Sequence, residues 1–185
     1  GDGYKIKVLM DQRSAPIQPL LRVTLVDRFS GLFALVWVSC VLVLFVPQLA
    51  DFRVWSVAGL VLSMVAALVA FRLLPGTVRT QWLQTSTYSL AVQLAQTIAV
   101  AGLVIALQET SAWAGYLLLF LISSVAAMVP LTIGGAGARE FTFLTGAGFL
   151  SLHAEKAVAI AFIFYLVSTA VSLTGIAYSF RKVSV

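Results

Sequence analysis

The sequence predicts an all-α protein, a polytopic bundle of transmembrane helices with a re-entrant, broken-helix hairpin around residues 112–150. Hydrophobic residues make up 61% of the 185 positions and charged residues only 10%, whereas about a quarter of a soluble domain is charged. The apolar residues also form runs of about 20, which is the length that crosses a bilayer as a helix. The third observation is the motif PLTIGGAGARE at 130–140, which interrupts a long uncharged stretch.

The charged residues, the single cysteine and the single histidine argue against nucleic-acid binding, a disulfide framework and a metal site. The net charge of +5 comes from basic residues at the ends of apolar runs, so anionic headgroups explain it and no nucleic-acid partner is expected. Cys40 is the single cysteine and lies in an apolar run, so no disulfide framework is predicted. His153 is the single histidine and is expected to be a solvated loop residue. We therefore predict neither a metal site nor a cofactor.

The chain divides into a short basic segment and one membrane domain. Residues 1–22 contain Pro16 and Pro19 and are predicted to be a cytoplasmic juxtamembrane segment, preceded by missing N-terminal helices because the sequence starts Gly-Asp-Gly. Residues 23–185 are predicted to form a single transmembrane helical domain. Connections are expected at 48–53 and 76–82, and helices are predicted at 23–46, 54–74, 86–107, 112–129, 138–150 and 157–180.

The distribution of lysine and arginine predicts a multi-pass protein of the cytoplasmic membrane with a cytoplasmic C-terminus. The N-terminal segment, the connection at 76–82 and the tail after residue 180 are basic, and they are expected on one side. Residues 108–111 and 153–155 then both lie outside, so the chain between them leaves and returns to one face. Its returning arm has about 13 residues and spans about 20 Å, which is too short to cross comfortably.

The glycine motif has the chemistry of an anion site. Gly134, Gly135 and Gly137 permit backbone conformations that other residues avoid. A helix that begins near residue 138 presents free amides at its start, and Arg139 adds a full positive charge there. Such a site stabilises a lipid phosphate or carboxylate. Glu140 can pair with Arg139, hold the helix start or contact a cationic group. The alternative is that both charges belong to an ordinary surface turn.

Other polar residues recur at helical spacing within apolar segments. They line a polar path or, as is commoner, act as hydrogen-bonding contacts between helices. The pair Asp27-Arg28 near the start of the first span is either an interfacial anchor or, through Arg28, a second headgroup contact. The two polar faces consist of Ser89, Gln93, Gln96 and Thr97 on the third predicted helix, and of Tyr165, Ser168, Thr169, Ser172 and Ser179 on the last. A polar path would use Gln93, Gln96, Tyr165, Ser168 and Ser172.

Two stretches carry a resemblance to a known family. VTLVDRFSGLFAL and MVPLTIGGAGARE resemble, respectively, the acidic-Arg-x-x-Gly-Leu segment and the Pro-x-x-x-Gly-Gly-x-Gly-x-Arg-Glu signature of the flippase-like transmembrane domain of lysylphosphatidylglycerol synthases and related integral membrane proteins. The family's soluble aminoacyl-transferase domain is absent, so synthesis of lysyl-lipid is not expected of this chain. The resemblance implies a headgroup site made of Pro130, Gly134, Gly135, Gly137, Arg139 and Glu140, with Asp27 and Arg28 as secondary members.

These observations lead to a translocase as the first functional hypothesis. The chain would bind a phospholipid or lipid-linked headgroup and move it across the cytoplasmic membrane without being an enzyme. The first alternative is a membrane enzyme or the membrane subunit of a lipid-modifying enzyme, with Glu140 as acid or base. The second is an anchor for a soluble transferase partner. Membrane lipids are the expected partners, and a homo-oligomer is also possible.

Overall fold

A computed structural model describes residues 17–73, 76–128 and 137–179 of the chain. These residues form helices and contain no β-strand, which confirms the all-α fold class. Short 3-10 helices at Pro47–Phe52 and Thr110–Ala112 lie between longer elements. The α-helices, numbered in chain order, are α1 (Ile17–Val43), α2 (Arg53–Leu73), α3 (Gly76–Ala106), α4 (Trp113–Met128), α5 (Ala138–Phe149) and α6 (Ala154–Ser179).

The helix α1 begins at Ile17, earlier than the predicted start at residue 23. Pro19 lies within its first turn, where the backbone N–H groups have no partner inside a helix and the missing proline N–H is tolerated. Pro19 therefore does not stop the helix, although residues 1–22, which contain Pro16 and Pro19, were predicted to lie before its start. The helix ends at Val43, a few residues before Pro47, as expected from a residue that cannot continue it.

The prediction of a loop at 76–82 was wrong. The helix α3 begins directly at Gly76 and includes Arg79 and Trp82. After Gly76 the stretch TVRTQW contains no glycine or proline, so nothing in it prevents the helix from extending toward its N-terminus. The connection between α2 and α3 is correspondingly short. The polar character of these residues had suggested a loop, but polarity alone does not stop a helix.

Within the described part of the chain, four helices are long and apolar enough to cross a membrane by length and composition. They cover Pro47–Leu73, Trp82–Ala106, Thr110–Ala127 and Ala154–Thr174, so the chain is an integral membrane protein of helical type. The helix α5 has only 12 residues, or about 18 Å of length. The span that contains α4 is 50% buried by protein, against at most 22% for the other three. The span that contains α4 is therefore the one most enclosed by protein among these four.

Two compact units divide the chain, and each is described by itself. The first takes in residues up to 41 and 52–95, and the second takes in 42–51 and the residues from 96 onward. In the first unit, α1 and α2 are joined by Ser56 Oγ, which donates to the Cys40 carbonyl at 2.7 Å. Trp37 Nε1 donates to Ser63 Oγ at 3.1 Å between the same helices. The prediction of a single transmembrane domain stays a prediction.

In the second unit, α4 and α5 lie side by side and run in opposite directions. A Cβ on Gly146 of α5 would overlap the Cδ2 atom of Leu119 on α4. A Cβ on Gly115, at the start of α4, would lie 3.7 Å from Leu150, just beyond the end of α5. Both pairs fit one antiparallel register, so the beginning of α4 and the end of α5 lie at the same end of the unit.

The close approach at Gly146 gives a test of this packing. We expect Gly146→Val to destabilise the protein by about 1–3 kcal/mol, because Leu119 is 2% exposed and has little room to move aside. Gly148→Val is the matched control, since a Cβ at Gly148 meets nothing within 4 Å. Thermal unfolding of both variants in detergent measures the difference. Equal unfolding temperatures would contradict the packing of α4 on α5.

Candidate functional site

The helix α5 starts at a glycine with an unusual backbone. Gly137 has φ of +84°, a conformation that side chains disfavour, and its N–H donates to Glu140 Oε2 at 2.6 Å. The carboxylate of Glu140 therefore closes back on its own helix start, where a negative charge is also favoured by the helix dipole. Of the three roles considered for Glu140, this geometry supports the one that holds the helix start. One of the free backbone N–H groups at the start of α5 therefore already has a hydrogen-bond acceptor within the protein.

Arg139 points in another direction, into the space between three helices. Its Cζ lies 5.3 Å from the ring centroid of Phe120 on α4 and 5.1 Å from that of Phe164 on α6. The two rings contact each other edge to face, with centroids 4.7 Å apart. Phe120 is 1% exposed and Phe164 7% exposed. A guanidinium over aromatic faces is stabilised by the ring quadrupoles, so the three side chains form one arginine–aromatic cluster.

The polar capacity of Arg139 is not fully used within this cluster. Its Nη1 atom is buried and has no hydrogen-bond partner among the described residues. Stacking on rings satisfies the charge in part, but it provides no acceptor for an N–H group. A buried donor without an acceptor is unfavourable by about 1–3 kcal/mol. The cluster thus has a donor available for an anionic or carbonyl oxygen.

The cluster lies deep along the helices. Phe164 is the central residue of the candidate span Ala154–Thr174. The register of α4 and α5 places the backbone of Arg139 opposite Ala126, about 9 Å beyond Phe120 along α4. The side chain of Arg139 therefore runs back from the α5 start toward the middle of the span. Arginines near the ends of membrane helices usually extend outward to the headgroups instead.

The other predicted members of the headgroup site have different outcomes. Pro130, Gly134 and Gly135 lie outside the described residues. Asp27 and Arg28 belong to the first unit and are both exposed. The carbonyl of Asp27 accepts a hydrogen bond from Ser30 Oγ at 2.8 Å, as in a regular helix turn. Their exposure agrees with the role of an interfacial anchor, and a headgroup contact by Arg28 stays a prediction.

The polar face of α3 is partly buried. Gln93 and Thr97 are 7% and 9% exposed, and Gln96 is half-buried. Ser89 Oγ lies 3.2 Å from Ser30 Oγ of α1, within hydrogen-bond distance. For Ser89, this contact supports a role in hydrogen bonding between helices, which is commoner than the alternative of a polar path. A polar path along Gln93 and Gln96 stays a prediction.

Two serines on the polar face of α6 bond within their own helix. Ser168 Oγ donates to the Tyr165 carbonyl at 2.9 Å, and Ser172 Oγ donates to the Ser168 carbonyl at 2.8 Å. Hydroxyls that bond to the preceding turn need no partner on another helix and are compatible with a lipid-facing surface. Ser172 is exposed on the protein surface. These contacts give no support to a path through Ser168 and Ser172.

A second polar cluster, which the sequence analysis did not identify, lies at the end of the second unit where α4 begins. Glu109 is 6% exposed and its Oε1 accepts a hydrogen bond from Lys156 Nζ at 2.6 Å. The same oxygen lies 3.0 Å from His153 Nδ1. Lys156 also donates to the Leu107 carbonyl at 3.2 Å, and the His153 N–H donates to the Tyr116 hydroxyl at 3.3 Å. We call this the Glu109 cluster.

Two similar turns bring these residues together. At the end of α3, Gln108 has φ of +59° and the N–H of Glu109 donates to the Val104 carbonyl. At the end of α5, Ser151 has φ of +53° and the N–H of Leu152 donates to the Ala147 carbonyl. Both are Schellman turns in which a residue other than glycine takes the left-handed position. Each turn reverses the chain, so Glu109 and His153 meet.

The hydrogen bond from Lys156 is the main reason that the pKa of Glu109 lies below its ordinary value of 4.5. Burial acts in the opposite direction, and His153 adds to the lowering. Glu109 is therefore an ionised carboxylate held between two basic side chains at neutral pH. The cluster links the end of α3, the start of α4 and the start of α6. Residues 108–111 and 153–155 were both predicted to lie outside the membrane. This shared location was the one feature of the sequence that could have suggested a contact between Glu109 and His153.

The fold defines the chain as an α-helical membrane protein in which a half-buried arginine packs against two phenyl rings. Comparisons with protein-family models, curated proteins and solved structures gave no match. Function is therefore argued from the geometry of the arginine–aromatic cluster and from the sequence.

Proposed function

We propose that this chain is a flippase-like membrane protein that binds the anionic headgroup of a phospholipid or lipid-linked molecule and moves it across the cytoplasmic membrane. The proposal rests on the buried Nη1 of Arg139, which has no acceptor among the described residues. A phosphate or carboxylate oxygen is the natural acceptor, because bonds between a guanidinium and an oxyanion are charge-assisted and short. The resemblance of the surrounding motif to lysylphosphatidylglycerol synthase domains supports the same substrate class.

The position of Arg139 supports a binding role rather than a structural one. A charge near the centre of a membrane span is unfavourable by about 2.5–3.5 kcal/mol on insertion scales. The contacts with Phe120 and Phe164 offset part of this energy. A charge that is kept at such depth, away from the headgroup region, is a functional-site hypothesis by default. A bound headgroup would supply the remaining hydrogen bond.

We further propose that α4 and α5 form a re-entrant hairpin that enters and leaves the membrane on one face. The shortness of α5, the antiparallel packing of the pair and the meeting of their outer ends at the Glu109 cluster support this arrangement. The positive-inside rule then orients the Glu109 cluster outward and the C-terminus inward. Backbone that breaks inside the membrane needs protein around it, and the burial of half of the span that contains α4 supports such an arrangement.

Cysteine labelling tests the depth of the hairpin. After Cys40→Ala, single cysteines are placed at Ala138, Phe141, Thr145 and Phe149 and exposed in intact cells to membrane-impermeant maleimide. We expect Phe149→Cys, which lies near the Glu109 cluster and is 86% exposed, to be labelled from outside. Ala138→Cys is expected to react slowly from either side, because the proposed hairpin places it within the membrane. Rapid reaction of Ala138→Cys from the cytoplasm alone would contradict the re-entrant hairpin.

Transport itself is measured with purified protein in liposomes. Headgroup-labelled phosphatidylglycerol is expected to become accessible to a membrane-impermeant quencher faster than in empty liposomes. Mass spectrometry of the same lipids separates the alternatives, since a membrane enzyme changes the lipid and a translocase does not. An anchor for a soluble transferase would give neither result.

A further inference from the structure

We propose a second lipid site, built in the first unit: an apolar groove beside two arginines that binds one anionic phospholipid from the surrounding bilayer. The groove has a volume of about 350 Å³, within the range of small-molecule sites. It is lined by α1, α2 and α3 and has almost no polar surface. The site uses none of the residues of the arginine–aromatic cluster, so it does not depend on the function proposed above.

The groove is lined mainly by aromatic and aliphatic side chains. Trp37 and Trp82 both line it, and Trp82 is 8% exposed and contacts Phe33 edge to face, with ring centroids 6.1 Å apart. The aliphatic lining includes Leu68 and Leu83, which are 61% and 54% exposed. Exposed aliphatic side chains beside less exposed indole rings suit a flexible hydrocarbon chain.

One end of the groove is marked by positive charge. The guanidinium of Arg79 lies 5.0 Å from the ring centroid of Phe71, which lines the groove. Its Nε and Nη2 atoms donate to the carbonyls of Phe71 and Arg72, at 3.2 Å and 3.1 Å, so the guanidinium is held at the end of α2. The side chain of Arg72 is exposed at the same helix end. Two cations thus flank the apolar groove.

The charge of this unit favours an anionic lipid over a zwitterionic one. Residues 52–95 contain three arginines and no acidic residue, so this segment carries a net positive charge. Basic pockets between membrane helices are a known means of binding anionic headgroups. Charge complementarity therefore selects the phosphate of an anionic phospholipid as the partner of the two arginines.

The dimensions fit a lipid that enters from its headgroup end. The candidate span ends at Leu73, so Arg72 lies at the level where headgroups begin. The α2 wall of the groove extends from Phe71 back to Met64, about 10 Å along the helix. That distance covers the part of one leaflet next to the headgroups, since the hydrocarbon region of each leaflet is about 15 Å thick. The groove therefore holds the first part of one acyl chain while the headgroup meets the arginines.

Tryptophan quenching by brominated lipids tests the proposal directly. In a Trp55→Phe/Trp113→Phe background, the remaining indoles are those of Trp37 and Trp82, which line the groove. The protein is reconstituted in phosphatidylcholine vesicles that contain a small mole fraction of phosphatidylglycerol with brominated acyl chains. Brominated phosphatidylcholine serves as the parallel arm. We expect phosphatidylglycerol to quench at a lower mole fraction, and high salt to reduce the difference.

Substitution of the arginines is expected to remove the preference. Arg72→Gln and Arg79→Gln should each weaken the preference for phosphatidylglycerol about five-fold, the effect expected for one basic residue at an anionic surface. Arg53→Gln, at the opposite end of α2, is the matched control and should leave it unchanged. Arg79→Lys keeps the charge but not the forked contact with two carbonyls, so it should retain most of the preference even if the helix end loosens.

Filling the groove separates a lipid site from a general electrostatic effect. Ala67→Phe adds a side chain to the groove wall and should reduce quenching by both lipids while the protein stays folded. Equal quenching by the two lipids in the unsubstituted background would overturn the proposal. Preference that survives in the Arg72→Gln/Arg79→Gln double variant would also overturn it. Quenching that falls as protein density rises, whatever the headgroup, would assign the groove to a second copy of this chain instead.

Discussion

Arg139→Gln is expected to slow headgroup translocation in liposomes by about one to two orders of magnitude. A hydrogen bond between a charged donor and an oxyanion contributes about 1.5–3 kcal/mol, and glutamine keeps a donor but loses the charge. The protein should remain folded, because removal of a buried charge also removes its desolvation penalty. Fluorescence-quenching kinetics on headgroup-labelled phosphatidylglycerol give the rate. Circular dichroism checks the helix content.

Two controls make this result specific to the site. Arg139→Lys keeps the charge but loses the planar guanidinium that stacks on Phe120 and Phe164 and donates from Nη1, so we expect intermediate activity. Arg53→Gln removes an exposed arginine elsewhere and should leave the rate unchanged. Identical rates for Arg139→Gln and the unsubstituted protein would leave the headgroup proposal without a binding site.

Glu140 is expected to affect the rate of headgroup translocation indirectly, by holding the start of α5. Its carboxylate holds the N–H of Gly137, so Glu140→Gln weakens the start of α5 but leaves the guanidinium of Arg139 in place. We therefore expect a smaller loss of rate from Glu140→Gln than from Arg139→Gln. A catalytic role for Glu140 would instead make its substitution the more severe of the two.

Lys156→Gln is expected to destabilise the protein by about 1–3 kcal/mol. The substitution removes the ammonium that donates to both Glu109 and the Leu107 carbonyl, and it leaves a buried carboxylate with His153 as its remaining basic neighbour. A buried acceptor that loses its charged partner bears the full desolvation penalty. Thermal unfolding in detergent at neutral pH measures the change. An unfolding temperature within error of the unsubstituted protein would show that the Glu109 cluster contributes nothing to stability.

The same cluster predicts a dependence on pH. Because folding lowers the pKa of Glu109 below 4.5, its ionised form stabilises the folded state above that pH. The stabilisation is lost progressively as the pH falls through the lowered pKa of the folded protein. Glu109→Gln should flatten this part of the curve. Glu155→Gln, which removes an exposed carboxylate of α6, should keep the slope, and equal slopes for the two variants would argue against the predicted shift.

Much of the helical architecture could be read from the sequence. The predicted helix at 138–150 differs from α5 by one residue, because Gly137 and the turn after Phe149 mark both ends chemically. The predicted helix at 54–74 differs from α2 by one residue at each end, and Pro47 and Pro75 flank this stretch in the sequence. Errors arose where local signals were weak. The start of α3 was placed too late, because TVRTQW is polar and yet has no residue that breaks a helix.

The candidate site divides in the same way. The sequence singled out Arg139 and Glu140 as candidate site residues, since they are charged residues within an uncharged stretch. It did not show their separate roles, because two neighbours on a helix point in different directions and only the packing of other helices shows what each one contacts. Glu140 closes on Gly137, and Arg139 reaches toward Phe164.

The sequence by itself determined that this chain consists of long apolar helices with a short helix before the last of them, since hydrophobic run length and backbone-breaking residues are local properties. Only the tertiary structure decided what each polar group contacts. Glu109 and Lys156 are far apart along the chain, and Arg139 is separated from both of its aromatic partners. Such contacts depend on how helices pack through space, and no local pattern records that packing.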